Sequence, residues 1–135
     1  MLEIVGLGAA CDLAQEWIDS PRIRELRDYF WSRLEDALGE RVVLNGHPSD
    51  RLPNTLNVSF PGQLGHEILA RIPSLAASTG SACHAGSYDP SPVLSAMGVP
   101  EVVALGAIRF SLGRTSTREE VDWAVHQLLA ALPST

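Results

Sequence analysis

Cys83 stands in the run Thr79-Gly80-Ser81-Ala82-Cys83-His84-Ala85-Gly86-Ser87-Tyr88-Asp89-Pro90, one thiol among glycines, serines and alanines. Small side chains let a second molecule approach a backbone closely, so this setting suits a nucleophilic thiolate. The competing reading is a small hydrophobe at a strand end, the commoner fate of a cysteine. Arg109 is the second candidate. It interrupts the alternating strand Ala107–Leu112, where Ile108, Phe110 and Leu112 share one face and Arg109 and Ser111 the other. Two readings stay open for it: a solvated residue on the outer face, or a planar clamp that holds a carboxylate through two parallel hydrogen bonds. His84 adjoins Cys83, but neighbours on an extended chain point apart, so a Cys–His pair does not follow.

The other reactive side chains carry less. Cys11 lies on the apolar stripe of a first helix and reads as core. His47, His66, His84 and His126 are scattered without zinc-like spacing, so no metal site is expected. All ten basic residues are arginines, and the chain has no lysine.

These residues sit in 135 amino acids, enough for one domain with its own core. The net charge of −6 argues against nucleic acid or an anionic membrane as partner. No apolar run spans a bilayer, and the start lacks a basic region and cleavage signal, so a cytoplasmic protein with two free thiols is expected.

The positioning elements follow from periodicity. Ile4, Leu7, Cys11, Ala14 and Ile18 form a helical stripe over residues 2–18, containing Gly6 and Gly8. Ser20-Pro21 opens a second helix with Ile23, Leu26, Phe30, Leu34 and Leu38 on one face and Gly39 at its end. Val42–Leu44 reads as a short strand, with a turn at Asn45-Gly46. Thr55–Phe60 reads as a strand with Leu56, Val58 and Phe60 on one face and Thr55, Asn57 and Ser59 on the other. Gly65–Ile72 reads as a helix, Ser74–Ser78 as a small-residue strand entering the cysteine loop, and Ser91–Met97 as a short helix stopped by Gly98. Thr117-Arg118-Glu119-Glu120 has capping-box spacing and opens a last helix through Val121, Val125, Leu128 and Leu132. The implied fold is α+β: a small, largely antiparallel sheet with helices packed on it.

Three segments, in this order, resemble the pyridoxal-phosphate-dependent cysteine desulfurases and the related selenocysteine lyases of the class V aminotransferase family. They are Leu52-Pro53-Asn54-Thr55-Leu56-Asn57-Val58-Ser59-Phe60, the Cys83 loop, and Ala107-Ile108-Arg109-Phe110-Ser111-Leu112-Gly113-Arg114. The opening Ile4-Val5-Gly6-Leu7-Gly8-Ala9-Ala10 is similar to the helix that follows the large domain of those enzymes. Gly65-His66 and Ala82-Cys83-His84 lean toward the lyases, whereas Gly80-Ser81-Ala82-Cys83 is equally at home in desulfurases that feed iron–sulfur cluster assembly. The resemblance covers nearly the whole chain and implies a single domain, 1–135, like the C-terminal small domain of these enzymes. It implies that Cys83 takes sulfur from cysteine as a persulfide, or meets the selenium of selenocysteine. Arg109 would hold the substrate carboxylate.

The same resemblance implies a large domain carrying the cofactor, with a Schiff-base lysine, a phosphate cradle, a ring-stacking histidine and an aspartate. None has a counterpart here. Pyridoxal phosphate is therefore expected in the full-length family and not on this chain, which is expected to be inactive alone. The implied partners are the missing large domain, a sulfur-acceptor protein, and a second copy in a homodimer formed through the first-helix stripe. The alternative is a stand-alone, cofactor-free persulfide carrier or interaction module, which needs Cys83 but not Arg109. A third reading is an inert remnant that keeps the fold alone.

Overall fold

The computed structural model describes residues 1–15, 20–80 and 89–133. Helix α1 (Leu2–Gln15) is followed by α2 (Pro21–Leu38), a 3-10 turn (Gly39–Arg41), strands β1 (Val43–Leu44) and β2 (Thr55–Ser59), and helix α3 (Gly65–Ala70). Short helices α4 (Pro92–Ala96) and α5 (Glu101–Ala104), strand β3 (Ala107–Ser111) and helix α6 (Arg118–Ala131) complete the order. The strands form an antiparallel sheet in the order β1-β2-β3. None of the described helices is long and apolar enough to cross a membrane.

The architecture is the expected α+β arrangement. α2 forms because its apolar residues recur at helical spacing, and Pro21 supplies a φ suited to the first turn. It ends at Gly39, whose φ of 52° is costly for any residue with a Cβ. α6 opens on a complete capping box. The Thr117 hydroxyl accepts from the Glu120 amide, and the Glu120 carboxylate accepts from the Thr117 amide.

Helices α2 and α6 lie on one face of the sheet. Leu26, Phe30, Leu34 and Leu38 of α2 meet Leu56, Val58, Ile108 and Phe110 of the strands and Val121, Val125 and Leu128 of α6. A second cluster (Leu94, Ala104 and Ala107) belongs to the opposite side and covers only part of it. Arg109 and Ser111 stay exposed on that side and Asn57 is half-buried. Among the described residues, the sheet is therefore covered on one face and only half covered on the other.

Several expectations are corrected. Cys11 is exposed rather than core, because no residue of α1 is buried. The stripe shows which α1 residues share a face, but nothing in the described chain covers it. Ser74–Ser78 is not a strand: only Ser78 pairs, in a single bridge to Arg109. Ser59, placed on the polar face by alternation, is fully buried. Leu112 lies past the end of β3 and is half-buried, its amide donating to the Asn54 carbonyl at 2.8 Å. Helix α5 was not anticipated. Arg27 in α2 is a buried cation that the periodicity hides. It donates to Asp28 and, at 2.8 Å, to the Leu52 carbonyl, fastening the start of the Leu52–Phe60 segment to the helix.

Candidate functional site

Arg109 occupies the middle of β3, with its backbone committed on one side only. Its amide donates to the Ser78 carbonyl at 2.7 Å and its carbonyl accepts from the Ser78 amide at 3.1 Å. On its other side it stands opposite Asn57 of β2. Because both backbone groups point to Ser78, Asn57 and Arg109 form the narrow, non-hydrogen-bonded type of antiparallel pair. Such pairs set their Cα atoms about 4.5 Å apart and crowd their side chains on one face. The Arg109 guanidinium makes no hydrogen bond or ion pair with any described residue, unlike Arg22, Arg27 and Arg33.

Beside this pair, on the same face, lies a polar cluster that sequence reasoning missed. Asn45, just past β1, is buried, and its Nδ2 donates to Asn57 Oδ1 and to Ser59 Oγ, each at 2.8 Å. The Asn45 amide in turn donates to the Asn57 carbonyl at 3.0 Å. Alternation along Thr55–Phe60 put Asn57 and Ser59 on the Arg109 face. The β1–β2 register that brings in Asn45 had no local signal.

Ser78 links this site to the cysteine loop. Its hydroxyl donates to the Gly80 carbonyl at 3.1 Å and accepts from the Gly80 amide. Cys83 and His84 lie outside the described residues. His47 is exposed in the loop before Arg51, its Nδ1 accepting from the amides of Ser49 and Asp50. His126 is exposed on α6 and His66 sits on α3, so the structure does not gather the three described histidines. An apolar cleft of about 550 Å³ opens elsewhere, between Leu13 of α1, Leu52–Asn54 and Leu112–Arg114. It touches the ends of two of the recognisable segments, but not Arg109.

The fold and site define a small α+β domain that presents, on the half-covered face of its sheet, an arginine without a partner among the described residues, paired to Ser78, which stands shortly before Cys83 in the chain. The aminotransferase class-V family model matches residues 1–123, and the chain belongs to that family. It is 46% identical over 136 aligned positions to a selenocysteine lyase of Rattus norvegicus, covering 96% of this chain and 32% of the relative. It is 43% identical over 126 to a cysteine desulfurase of Klebsiella pneumoniae, covering 92% of this chain and 31% of the relative. A solved NifS-like protein superposes with a TM-score of 0.66 at 32% identity, over 82% of this chain and 28% of that one. The chain is thus a partial representative of the cysteine desulfurase and selenocysteine lyase group, spanning about a third of the length of its curated relatives. Its own side chains do not fit the family cofactor: with no lysine among the 135 residues, no side chain here can form the lysine Schiff base.

Proposed function

We propose that this chain is the substrate-gripping and sulfur-accepting part of a cysteine desulfurase or selenocysteine lyase. In this reading Arg109 holds the α-carboxylate of cysteine or selenocysteine and Cys83 is the acceptor thiol. With cysteine, the balance is one cysteine plus one protein thiol giving one alanine plus one protein persulfide. The C–S bond breaks and an S–S bond forms on Cys83; of the two thiol protons, one ends on the methyl group of alanine and the other on the persulfide. Cofactor chemistry belongs to a large domain not among these residues. The observation that carries the reading is Arg109: a guanidinium without partners among the described residues, on the half-covered face of a sheet whose family handles amino-acid substrates.

The deciding experiment begins with the protein's size in its native cells, by immunoblot. A band well above 14.5 kDa identifies a longer enzyme, assayed with and without Arg109→Gln. Losing a charge-assisted carboxylate contact is expected to lower kcat/KM for cysteine about ten- to hundredfold. Unchanged kcat/KM rejects the reading. A band at the size of this chain, with persulfide on Cys83 that survives Arg109→Gln, favours the stand-alone carrier, for which the absence of a Schiff-base lysine is the supporting observation.

A further inference from the structure

We infer that the side-chain amide of Asn57 is a second donor to the carboxylate held by Arg109, oriented for that task by Asn45. This rests on the proposed role of Arg109 and adds residues to it.

The argument is one of donors and acceptors. Asn57 has one acceptor, Oδ1, and its amide nitrogen carries two donors. The oxygen is taken on the β1 side by Asn45 Nδ2 at 2.8 Å. Asn57 Nδ2 therefore turns away from β1, and it has no partner among the described residues. The residue on its other side is Arg109, its narrow-pair neighbour. As oriented, Asn57 turns its Nδ2 donors toward Arg109, and a guanidinium is donor-only, so the two side chains make no hydrogen bond to each other in this structure. Together they leave a donor-only face that only an acceptor can complete. A carboxylate has about four lone-pair positions, of which an arginine fork uses two.

Asn45 matters through the direction it imposes. If the Asn57 amide were reversed, its oxygen would face Arg109 and accept from the guanidinium, occupying the clamp internally. Asn45 prevents this by donating to Asn57 from a buried position, where Ser59 Oγ also holds it. A buried amide that surrendered these bonds would be left unsatisfied, so the orientation is strongly held. Asn57 is thus the substrate contact and Asn45 a positioning residue.

The test uses the 135-residue chain labelled with ¹⁵N and titrated with L-alanine, with ethylammonium as a carboxylate-free control. The Arg109 Nε–H and Asn57 Nδ2–H₂ signals are expected to shift along one isotherm with alanine and stay still with ethylammonium. Asn57→Ala is expected to weaken alanine binding about tenfold. Asn57→Asp is expected to abolish it, by giving Arg109 an internal carboxylate. Asn45→Asp should also abolish it, without touching either contact residue, by accepting from the Asn57 amide and reversing it. Should Asn45→Asp fail to fold, Asn57→Ala carries the decision. An Arg109 signal that moves while Asn57 stays still, with full affinity in Asn57→Ala, overturns this inference and leaves the role of Arg109 standing. An Arg109 signal that never moves overturns both.

Discussion

Phe110 of β3 turns its ring onto Phe30 of α2, with centroids 4.9 Å apart and planes tilted by 55°. Its neighbour Arg109 leaves the strand on the other side and stays exposed. The ring pair thus anchors the strand from below while the arginine works from above.

This division separates a packed side chain from an exposed one along two adjacent residues. Phe110→Ala is expected to cost about 3–5 kcal/mol in chemical denaturation, since the side chain is almost fully buried. Arg109→Ala is expected to stay within about 0.5 kcal/mol of the parent. A large loss from Arg109→Ala would mean that the guanidinium is part of the folded scaffold.

Gly106 is a position of close approach. A Cβ there would lie 2.1 Å from the Phe60 carbonyl oxygen, where the Phe60 amide bonds back to the Gly106 carbonyl at 3.1 Å. Gly106→Ala is expected to cost at least about 1–3 kcal/mol, because the obstacle is backbone and the strand ends must part. Thermal unfolding measures it, and an unchanged midpoint would contradict the packing described.

Alkaline pH has a specific effect at Tyr29. The hydrogen bond its hydroxyl donates to Asp122, at 2.8 Å, raises its pKa above the usual 10.0, with partial burial and the Asp122 charge adding to the rise. A pKa raised on folding contributes stability that is complete below pH 10 and is lost as pH climbs through the folded value. Unfolding midpoints followed upward from pH 9 are expected to fall more steeply for the parent than for Tyr29→Phe. Equal slopes would show that the bond is absent in solution.

The amphipathic α2, from Ile23 to Leu38, was legible because one face of a helix is a local pattern, closed by a local stop at Gly39. The capping box at Thr117 and Glu120 was legible for the same reason. Arg109 was legible by alternation, since Ile108 and Phe110 declare which face is core. What failed was whatever depended on partners far away in sequence. The Asn45–Asn57 bond needs the β1–β2 register, and the burial of Ser59 needs elements on the far side of the sheet. Ser74–Ser78 lacked β-branched and aromatic residues, and only its last residue reached β3. Cys11 failed because periodicity reports a shared face, never what lies against it.

Thr117→Ala removes one half of the capping box and is expected to cost about 0.5–2 kcal/mol in thermal or chemical denaturation. Glu120→Gln keeps a side-chain acceptor for the Thr117 amide and is expected to cost less. The reverse order would mean that helix-end charge outweighs the cap.

Helix α1 contributes no buried residue, and Ile4, Val5 and Leu7 are each at least 66% exposed. Deleting residues 1–15 is therefore expected to leave the unfolding midpoint nearly unchanged. The whole chain is expected to self-associate with rising concentration in sedimentation, and the shortened one to remain a monomer. A large drop in the midpoint would show that α1 packs on the domain.

The bridge between Ser78 and Arg109 also sets a leash. Cys83 lies five positions beyond Ser78, and a chain cannot extend beyond about 3.6 Å per residue, so the cysteine Cα stays within about 18 Å of the Ser78 Cα in any arrangement. A tether of that length holds a reactive group at a local concentration on the order of millimolar or more. Lengthening the leash by inserted glycines would dilute the thiol relative to the surroundings of Arg109, without altering either residue.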